Sequence, residues 1–227
     1  MMRLWLRALA TLALLAACSG GNQNKEGSPS PKATNSIAFP LFDGANVISA
    51  RTWHATIGAR PGLADRSVFA QGAGTYVGHD IVAGTQAMMP ALEAWLGDLS
   101  ANPPAGYSVA VRGNGIDAVR THTRDLGVDF VPFESSENGQ RHGIVVMAVD
   151  PSTLTEKAGP MLGLVGKFKL MPSALRDPLD AQAKRQLGFS LSEASNPDTP
   201  IGAAVAALDQ LRDFGGRGIV LIDAVKQ

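Results

Sequence analysis

Between residues 47 and 82 the chain alternates apolar and polar residues in short runs, a pattern typical of strands. Residues 47–57, 67–71 and 75–82 are three such runs, with a Gly-Ala-Arg-Pro-Gly turn at residues 58–62. They predict an antiparallel meander. From Met88 onward, apolar side chains recur at offsets of 1, 4, 7, 8 and 11 residues. This spacing predicts a helix, and it must begin before or at Pro90, since proline fits only the first turn.

Two further elements are predicted in the middle of the chain. Residues 107–112 follow a stretch rich in proline and glycine and predict a short strand. A helix that ends at Gly127 comes next. Four residues at helical spacing indicate it, namely Ile116, Val119, Thr123 and Leu126.

A hairpin is the clearest local prediction. Asn138-Gly139 favours a tight turn, and it lies between the strand-like residues 128–134 and 141–149. Within the second run, residues 144–149 are apolar without interruption. A strand of this kind is buried on both faces, so we expect it near the centre of a sheet.

Three helix starts in the second half share one signal, a capping oxygen followed by a proline preset for the first helical position. They are Asp150-Pro151, Asp177-Pro178 and Thr199-Pro200. The last helix should end at Gly215-Gly216, and residues 217–225 predict a final strand buried on both faces. Strands first, helices later and a closing strand indicate an α+β fold. We expect one layered domain in which an antiparallel or mixed sheet packs against helices.

Residues 1–17 have the features of a secretory signal peptide. Arg3 and Arg7 precede an apolar run of about ten residues, which is too short for a membrane span of roughly 20. The sequence Leu15-Ala16-Ala17-Cys18 resembles the lipobox of bacterial lipoproteins. This resemblance implies cleavage before Cys18 and lipid on its sulfur and amino group. The alternative is an ordinary secretory signal that contains a cysteine by chance.

The resemblance also implies a partner and a location. Several acyl chains on Cys18 would hold the protein stably on a membrane, because more than one chain is needed for firm anchoring. Ser19 stands where lipoproteins retained at the inner membrane usually have Asp. By analogy with Gram-negative sorting, we expect the outer membrane, with the protein facing the periplasm.

A flexible tether is predicted to follow the lipidated cysteine. Residues 19–36 contain one apolar side chain, Ala33, and cannot bury enough surface to offset the entropy of ordering. We therefore divide the chain into a signal peptide (1–17), a lipidated cysteine with its tether (18–36) and a folded domain (37–227). Removal of residues 1–17 leaves a formal charge of −2, which gives no overall attraction to anionic lipid.

Composition narrows the function classes. The 20 Lys and Arg residues balance 20 Asp and Glu residues, so the basic excess of a nucleic-acid binder is missing and we expect no nucleic-acid partner. The one cysteine belongs to the lipid anchor, which leaves none for thiol catalysis. Serine-elbow, phosphate-loop and His-Glu-x-x-His patterns do not occur. We expect no cofactor.

Histidines are the remaining candidates for chemistry. His54, His79 and His142 each fall on a predicted strand, so they are weak candidates for metal ligands that converge from distant parts of the sequence. Asp80 follows His79, and the two are weak candidates for an acid-base pair. The more ordinary interpretation is that all the histidines are partly exposed residues of sheet edges and a helix flank.

One apolar segment, residues 161–171, combines glycines with two lysines. Its composition suits a flap that touches lipid or covers a ligand. Packing of a helix against the sheet is the simpler interpretation, with Gly159, Gly163 and Gly166 allowing a close approach.

The domain also resembles Gram-negative lipoproteins of unknown function, on the strength of residues 39–45 and 103–107. That resemblance implies no activity or binding residue. Three hypotheses follow: a non-catalytic domain that binds another envelope component, a histidine-dependent envelope hydrolase, and a carrier of small molecules or lipids.

Overall fold

A six-stranded sheet forms the centre of the computed structural model, which describes residues 39–57, 74–110, 120–137, 140–187 and 190–226. The strands are β1 (Asn46–Ile57), β2 (Gly74–Thr85), β3 (Tyr107–Val109), β4 (Val128–Glu137), β5 (Gln140–Val149) and β6 (Arg217–Lys226). The helices are α1 (Met89–Ala101), α2 (Pro151–Phe168), α3 (Ser173–Leu187), α4 (Leu191–Ala194) and α5 (Pro200–Phe214). Residues 120–124 are also helical.

The strand order is β1-β2-β6-β5-β4-β3, and every neighbouring pair is antiparallel. The last strand, β6, thus lies between β2 and β5 in the middle of the sheet. As predicted, residues 144–149 of β5 and 219–222 of β6 are buried on both faces. The expected α+β fold in one layered domain is confirmed, with a purely antiparallel sheet.

Each face of the sheet carries its own hydrophobic core. On one face, Phe130, Met147 and Ile222 pack under α2 and α5, which contribute Leu154 and Leu211. We call this the α5 face. On the other, α1 supplies three buried leucines, and Phe39 packs edge-on against Tyr107. We call this the α1 face.

Glycine allows two close contacts. The Trp53 ring lies flat on Gly78, where a Cβ atom would come within 1.9 Å of the ring. Gly202 lies at the start of α5, where a Cβ atom would come within 1.7 Å of the Asn196 carbonyl oxygen. By contrast, a Cβ atom at Gly159, Gly163 or Gly166 would meet no atom within 4 Å, so the predicted close approach through these glycines is wrong. They face open space on α2.

The helix starts follow the predicted chemistry in two cases of three. Asp150 and Thr199 cap α2 and α5, with a proline in the first turn of each. The predicted start at Asp177-Pro178 is wrong, because α3 begins at Ser173 and Pro178 lies inside it. The carbonyl of Pro172 already accepts from the N–H groups of Leu175 and Arg176, so the helix has started before Pro178 is reached.

Two other local predictions differ from the structure at their ends: the strand that begins at Tyr107 ends at Val109, and the helix before Gly127 ends at residue 124. Three more are confirmed. Helix α1 begins at Met89 with Pro90 in its first turn, and α5 ends at Gly215 in the left-handed conformation. Glu137 pairs with Gln140, as a two-residue hairpin requires. Residues 58–73, 111–119 and 138–139 lie outside the described residues, and with them the predicted turn at 58–62, the strand at 67–71 and the Asn-Gly turn itself.

Candidate functional site

His79 and Asp80 are consecutive residues of β2 and therefore point to opposite faces of the sheet. His79 lies directly opposite Thr52 of β1 and Asp223 of β6 on the α1 face. Asp80 lies opposite Arg51 on the α5 face. The structure thus does not bring this histidine and this carboxylate together.

Asp80 takes part in an ion network that joins the edge of the sheet to the loop before α5. Both of its carboxylate oxygens accept from the Arg51 Nε atom at 3.3 Å. The same guanidinium donates to the Pro197 carbonyl and lies 3.7 Å from the Asp198 carboxylate. Burial raises the pKa of Asp80, and the Arg51 charge opposes that rise. The network holds the β1–β2 hairpin against the start of α5.

A row of polar side chains crosses β1, β2 and β6 on the α1 face. The Thr52 Oγ1 atom lies 3.0 Å from the Nδ1 atom of His79, which is half-buried. Asp223, a buried carboxylate, occupies the matching position of β6. Side chains directly opposite on antiparallel strands are neighbours. A hydroxyl, an imidazole and a carboxylate therefore occupy consecutive positions, and we call them the Thr52–His79–Asp223 row.

The other candidate histidines lie near this row. His54 is exposed and sits diagonally from His79, since it pairs with Val77. The backbone of His142 pairs with Val225, but its side chain lies outside the described residues. Among the residues that the structure describes, no three His, Cys, Asp or Glu side chains come close enough to hold a metal ion.

A cleft of about 520 Å³ opens at the end of the sheet where α2 and β6 begin and α5 ends. Its walls include Asp150, Ser152, Leu211, Arg212 and Arg217. The Asp150 carboxylate accepts from backbone N–H groups of the first turn of α2 and from the Arg217 Nε atom at 3.1 Å. The charged groups that line this cleft serve helix capping and an ion pair.

The pKa of Asp150 reflects a balance between burial and the groups that bind its carboxylate. Burial alone would raise it, but the Ser152 hydroxyl, two backbone N–H groups and the Arg217 charge stabilise the carboxylate form. Together they lower the pKa of Asp150 below its ordinary value. The carboxylate is therefore charged at neutral pH and not suited to donate a proton.

A third carboxylate, Asp129 of β4, is fully buried. One oxygen accepts from the Arg120 Nε atom and the Phe130 N–H group, both at 2.9 Å. The other accepts from the Nη2 atoms of Arg120 at 2.9 Å and Arg124 at 2.8 Å. Four donors thus surround the carboxylate, and two arginine charges offset its one. This arrangement anchors the helical residues 120–124 to the sheet.

The apolar segment 161–171 is mostly the second half of α2. Val165 and Phe168 are buried in a small cluster with Ala183 of α3 and Leu191 and Ala194 of α4. None of the residues named as lining the Asp150 cleft belongs to the segment. Leu162 packs on the core of the α5 face, as the simpler interpretation expected, but the buried side chains of the segment pack against other helices. The segment does not line this cleft.

Sequence reasoning missed Thr52, Asp223 and Arg217. Thr52 precedes His79 by 27 residues, and Asp223 follows it much later in the sequence. Only the strand order brings the two beside His79. No local signal identifies them. Asp150 was recognised as a helix cap, whereas its partner Arg217 comes 67 residues later.

Cys18, the tether and both proposed boundaries at residues 17 and 36 lie outside the described residues. Within the described ranges, no helix is long and apolar enough to cross a membrane. No protein-family model matches the chain, and no curated protein or solved structure matches it either. The residues themselves carry the functional argument.

Proposed function

We propose that the chain is a lipid-anchored envelope protein whose folded domain binds another envelope component without catalysing a reaction. The observation that carries this proposal is the sequence Leu15-Ala16-Ala17-Cys18 behind a short apolar run, followed by a polar tether. Acylated Cys18 holds the protein on a membrane, and Ser19 at the next position favours the outer membrane, with the protein facing the periplasm.

The start of the folded part supports the tether. Phe39 is 3% exposed and packs on Tyr107 and Phe133, with ring centroids 5.2 and 5.1 Å away. The domain is thus engaged from its first described residue, soon after residue 36. A polar linker of this length has an r.m.s. reach on the order of 25 Å, so the domain stays near the membrane.

The use of three of the four buried aspartates of the described residues supports a non-catalytic domain. Asp80, Asp129 and Asp150 each face an arginine from another part of the chain. Pairing of this kind satisfies buried charge and joins elements, and removing one partner is costly. These carboxylates stabilise the fold, and none of them is left to move protons.

The Thr52–His79–Asp223 row favours the second candidate, a histidine-dependent hydrolase. In that function the His79 imidazole would take the proton of the Thr52 hydroxyl while the hydroxyl oxygen adds to an ester or amide carbonyl. The imidazole would return the proton to the alcohol or amine that leaves, and water would then release the acyl group from Thr52 as the acid. Asp223 would stabilise the charged imidazole. Thr52 is exposed, however, and the row lies on an open sheet surface, whereas such chemistry works best where water is excluded. We therefore rank this function second.

The anchor is tested by expression in a Gram-negative host with labelled fatty acid and separation of the two membranes. We expect label on the wild type and its recovery in the outer membrane. Cys18→Ala should abolish both, Ser19→Asp should move the labelled protein to the inner membrane, and the matched control Ser19→Ala should behave as the wild type. A Cys18→Ala protein that still carries label would overturn the anchor.

The choice between binding and hydrolysis has its own test. Purified protein is assayed on activated esters beside His79→Ala and the matched control His54→Ala. The proposed binding function predicts the same background rate for all three. A rate that disappears only in His79→Ala would establish the hydrolase instead.

A further inference from the structure

The turn between α2 and α3 exposes more apolar surface than its surroundings. Leu170 is 85% exposed and Leu175 is 59% exposed. Among the large apolar side chains of the described residues, Met88 is the other exposed one, at 61%. Both leucines belong to residues 167–175, which we call the α2–α3 tip. Two large apolar side chains this exposed and five residues apart make the tip a candidate contact surface.

The tip has a defined shape. The Leu170 N–H group donates to the Lys167 carbonyl at 3.0 Å, and the Leu175 N–H group donates to the Pro172 carbonyl at 2.9 Å. Directly beneath, Phe168 is buried in the cluster that joins α2, α3 and α4. The two leucines are therefore presented on a turn whose backbone is already ordered, and binding through them costs little additional entropy.

Two basic side chains lie close to Leu170 in the sequence. Lys167 and Lys169 precede it, both are exposed, and the first acidic residue after them is Asp177 in α3. Neither lysine forms an ion pair with any residue that the structure describes. Exposed leucines beside unpaired lysines match the two layers of a membrane surface, acyl chains below and anionic headgroups above.

We infer that the α2–α3 tip is a second membrane contact, in which Leu170 and Leu175 insert into the interface of an anionic bilayer and the lysines bind its headgroups. The inference rests on the proposed lipid anchor, which keeps the domain close enough for the tip to touch the membrane. It adds orientation to the proposed binding function, because a domain held by both its lipid anchor and the tip presents a fixed face to its partner. The mature chain has a formal charge of −2, so attraction to anionic lipid has to be local, and the tip supplies two exposed lysines for it.

The test uses the mature chain, residues 18–227, with Cys18→Ala so that no lipid is attached. Its binding is measured by co-sedimentation with vesicles of phosphatidylcholine alone and with about one third phosphatidylglycerol. We expect salt-sensitive binding to the anionic vesicles. Leu170→Ser with Leu175→Ser should weaken that binding about tenfold or more, since two large apolar side chains leave the interface.

The lysines and a matched control separate the two contributions. Lys167→Gln and Lys169→Gln should each weaken binding to anionic vesicles about fivefold and leave binding to neutral vesicles unchanged. Met88→Ser removes an equally exposed apolar side chain before α1 and should change nothing. The leucines and lysines are exposed, so their variants should unfold at the wild-type temperature. Met88→Ser places a hydroxyl at the N-cap of α1 and should unfold no lower, so loss of folding is excluded as the cause.

Three results would overturn the inference. They are no binding of the unlipidated chain to anionic vesicles, equal losses in Met88→Ser and the double leucine variant, or a concentration-dependent dimer that the leucine substitutions abolish. The last would assign the tip to self-association. None of them bears on the anchor, which fatty-acid labelling of the intact chain decides separately.

Discussion

The buried carboxylate of Asp129 offers the sharpest test of how the described domain is held together. Its four donors are the Arg120 Nε and Nη2 atoms, the Arg124 Nη2 atom and the Phe130 N–H group, all between 2.8 and 2.9 Å. Asp129→Asn keeps the size but removes the charge and points an amide N–H group at an arginine donor. Breaking a buried ion pair in this way costs about 3–5 kcal/mol.

Arg120 should contribute more than Arg124 to the free energy of unfolding. Arg120 donates two parallel bonds to this carboxylate and its side chain is 16% exposed, whereas Arg124 donates one bond to it and is 42% exposed. Arg124→Ala leaves one arginine against one carboxylate and should cost about 1 kcal/mol or less, as exposed pairs do. Arg120→Ala should cost about 2–3 kcal/mol, because it removes the bidentate partner of a buried charge.

Urea unfolding measures all three free energies. With a denaturant slope of about 2–3 kcal/mol per molar, Asp129→Asn should lower the midpoint by about 1–2 M. Arg124→Ala should lower it by less than about 0.5 M. If Asp129→Asn unfolds with the wild type, or if Arg124→Ala costs more than Arg120→Ala, the described network does not hold residues 120–124 to β4.

Three more outcomes are expected from the same structure. Gly202→Ala should lower the free energy of unfolding by about 2 kcal/mol or more, because the new Cβ atom meets the Asn196 carbonyl. Gly163→Ala should raise it by about 0.5–1 kcal/mol, because the new Cβ atom of α2 meets no other atom. Urea unfolding of both variants measures these changes. Asp150→Ala should lower the free energy of unfolding by about 1–2 kcal/mol more than Asp150→Asn does, because asparagine still caps α2. Thermal unfolding measures the difference. The pKa of Asp150 is lowered by folding, so its charge stabilises the fold above its ordinary value of 3.8, and this contribution is lost as pH falls through the lower folded value. The stability difference between the wild type and Asp150→Asn should therefore shrink between pH 6 and pH 3, and a difference that grows would refute the assignment.

Much of the fold could be predicted from local patterns. The uninterrupted apolar run of residues 144–149 predicted a central strand, and the caps at Asp150 and Thr199 predicted where two helices begin. These signals depend on residues a few positions apart, which the chain brings together whatever the rest of the fold does. Asp177-Pro178 carried the same signal and failed, because Pro172 had already started that helix.

The site could be predicted far less well, and the reason is topological. Strand β6 is last in the sequence yet pairs with β2 and β5, so the neighbours of His79 depend on a pairing between distant residues. Alternation along β2 could have shown that His79 and Asp80 point apart. It could not have shown that Arg51 and the loop before α5 enclose Asp80, nor that Gly202, and not Gly163, lies against another segment.

The proposed anchor is tested most directly by the mass of the mature N-terminal peptide, purified from membranes after expression of the intact chain in a Gram-negative host. We expect a peptide that begins at Cys18, lacks residues 1–17 and is heavier than its sequence by the acyl groups on the cysteine sulfur and amino nitrogen. A peptide that begins at another residue, or one that begins at Cys18 with an unmodified thiol and amine, would contradict it.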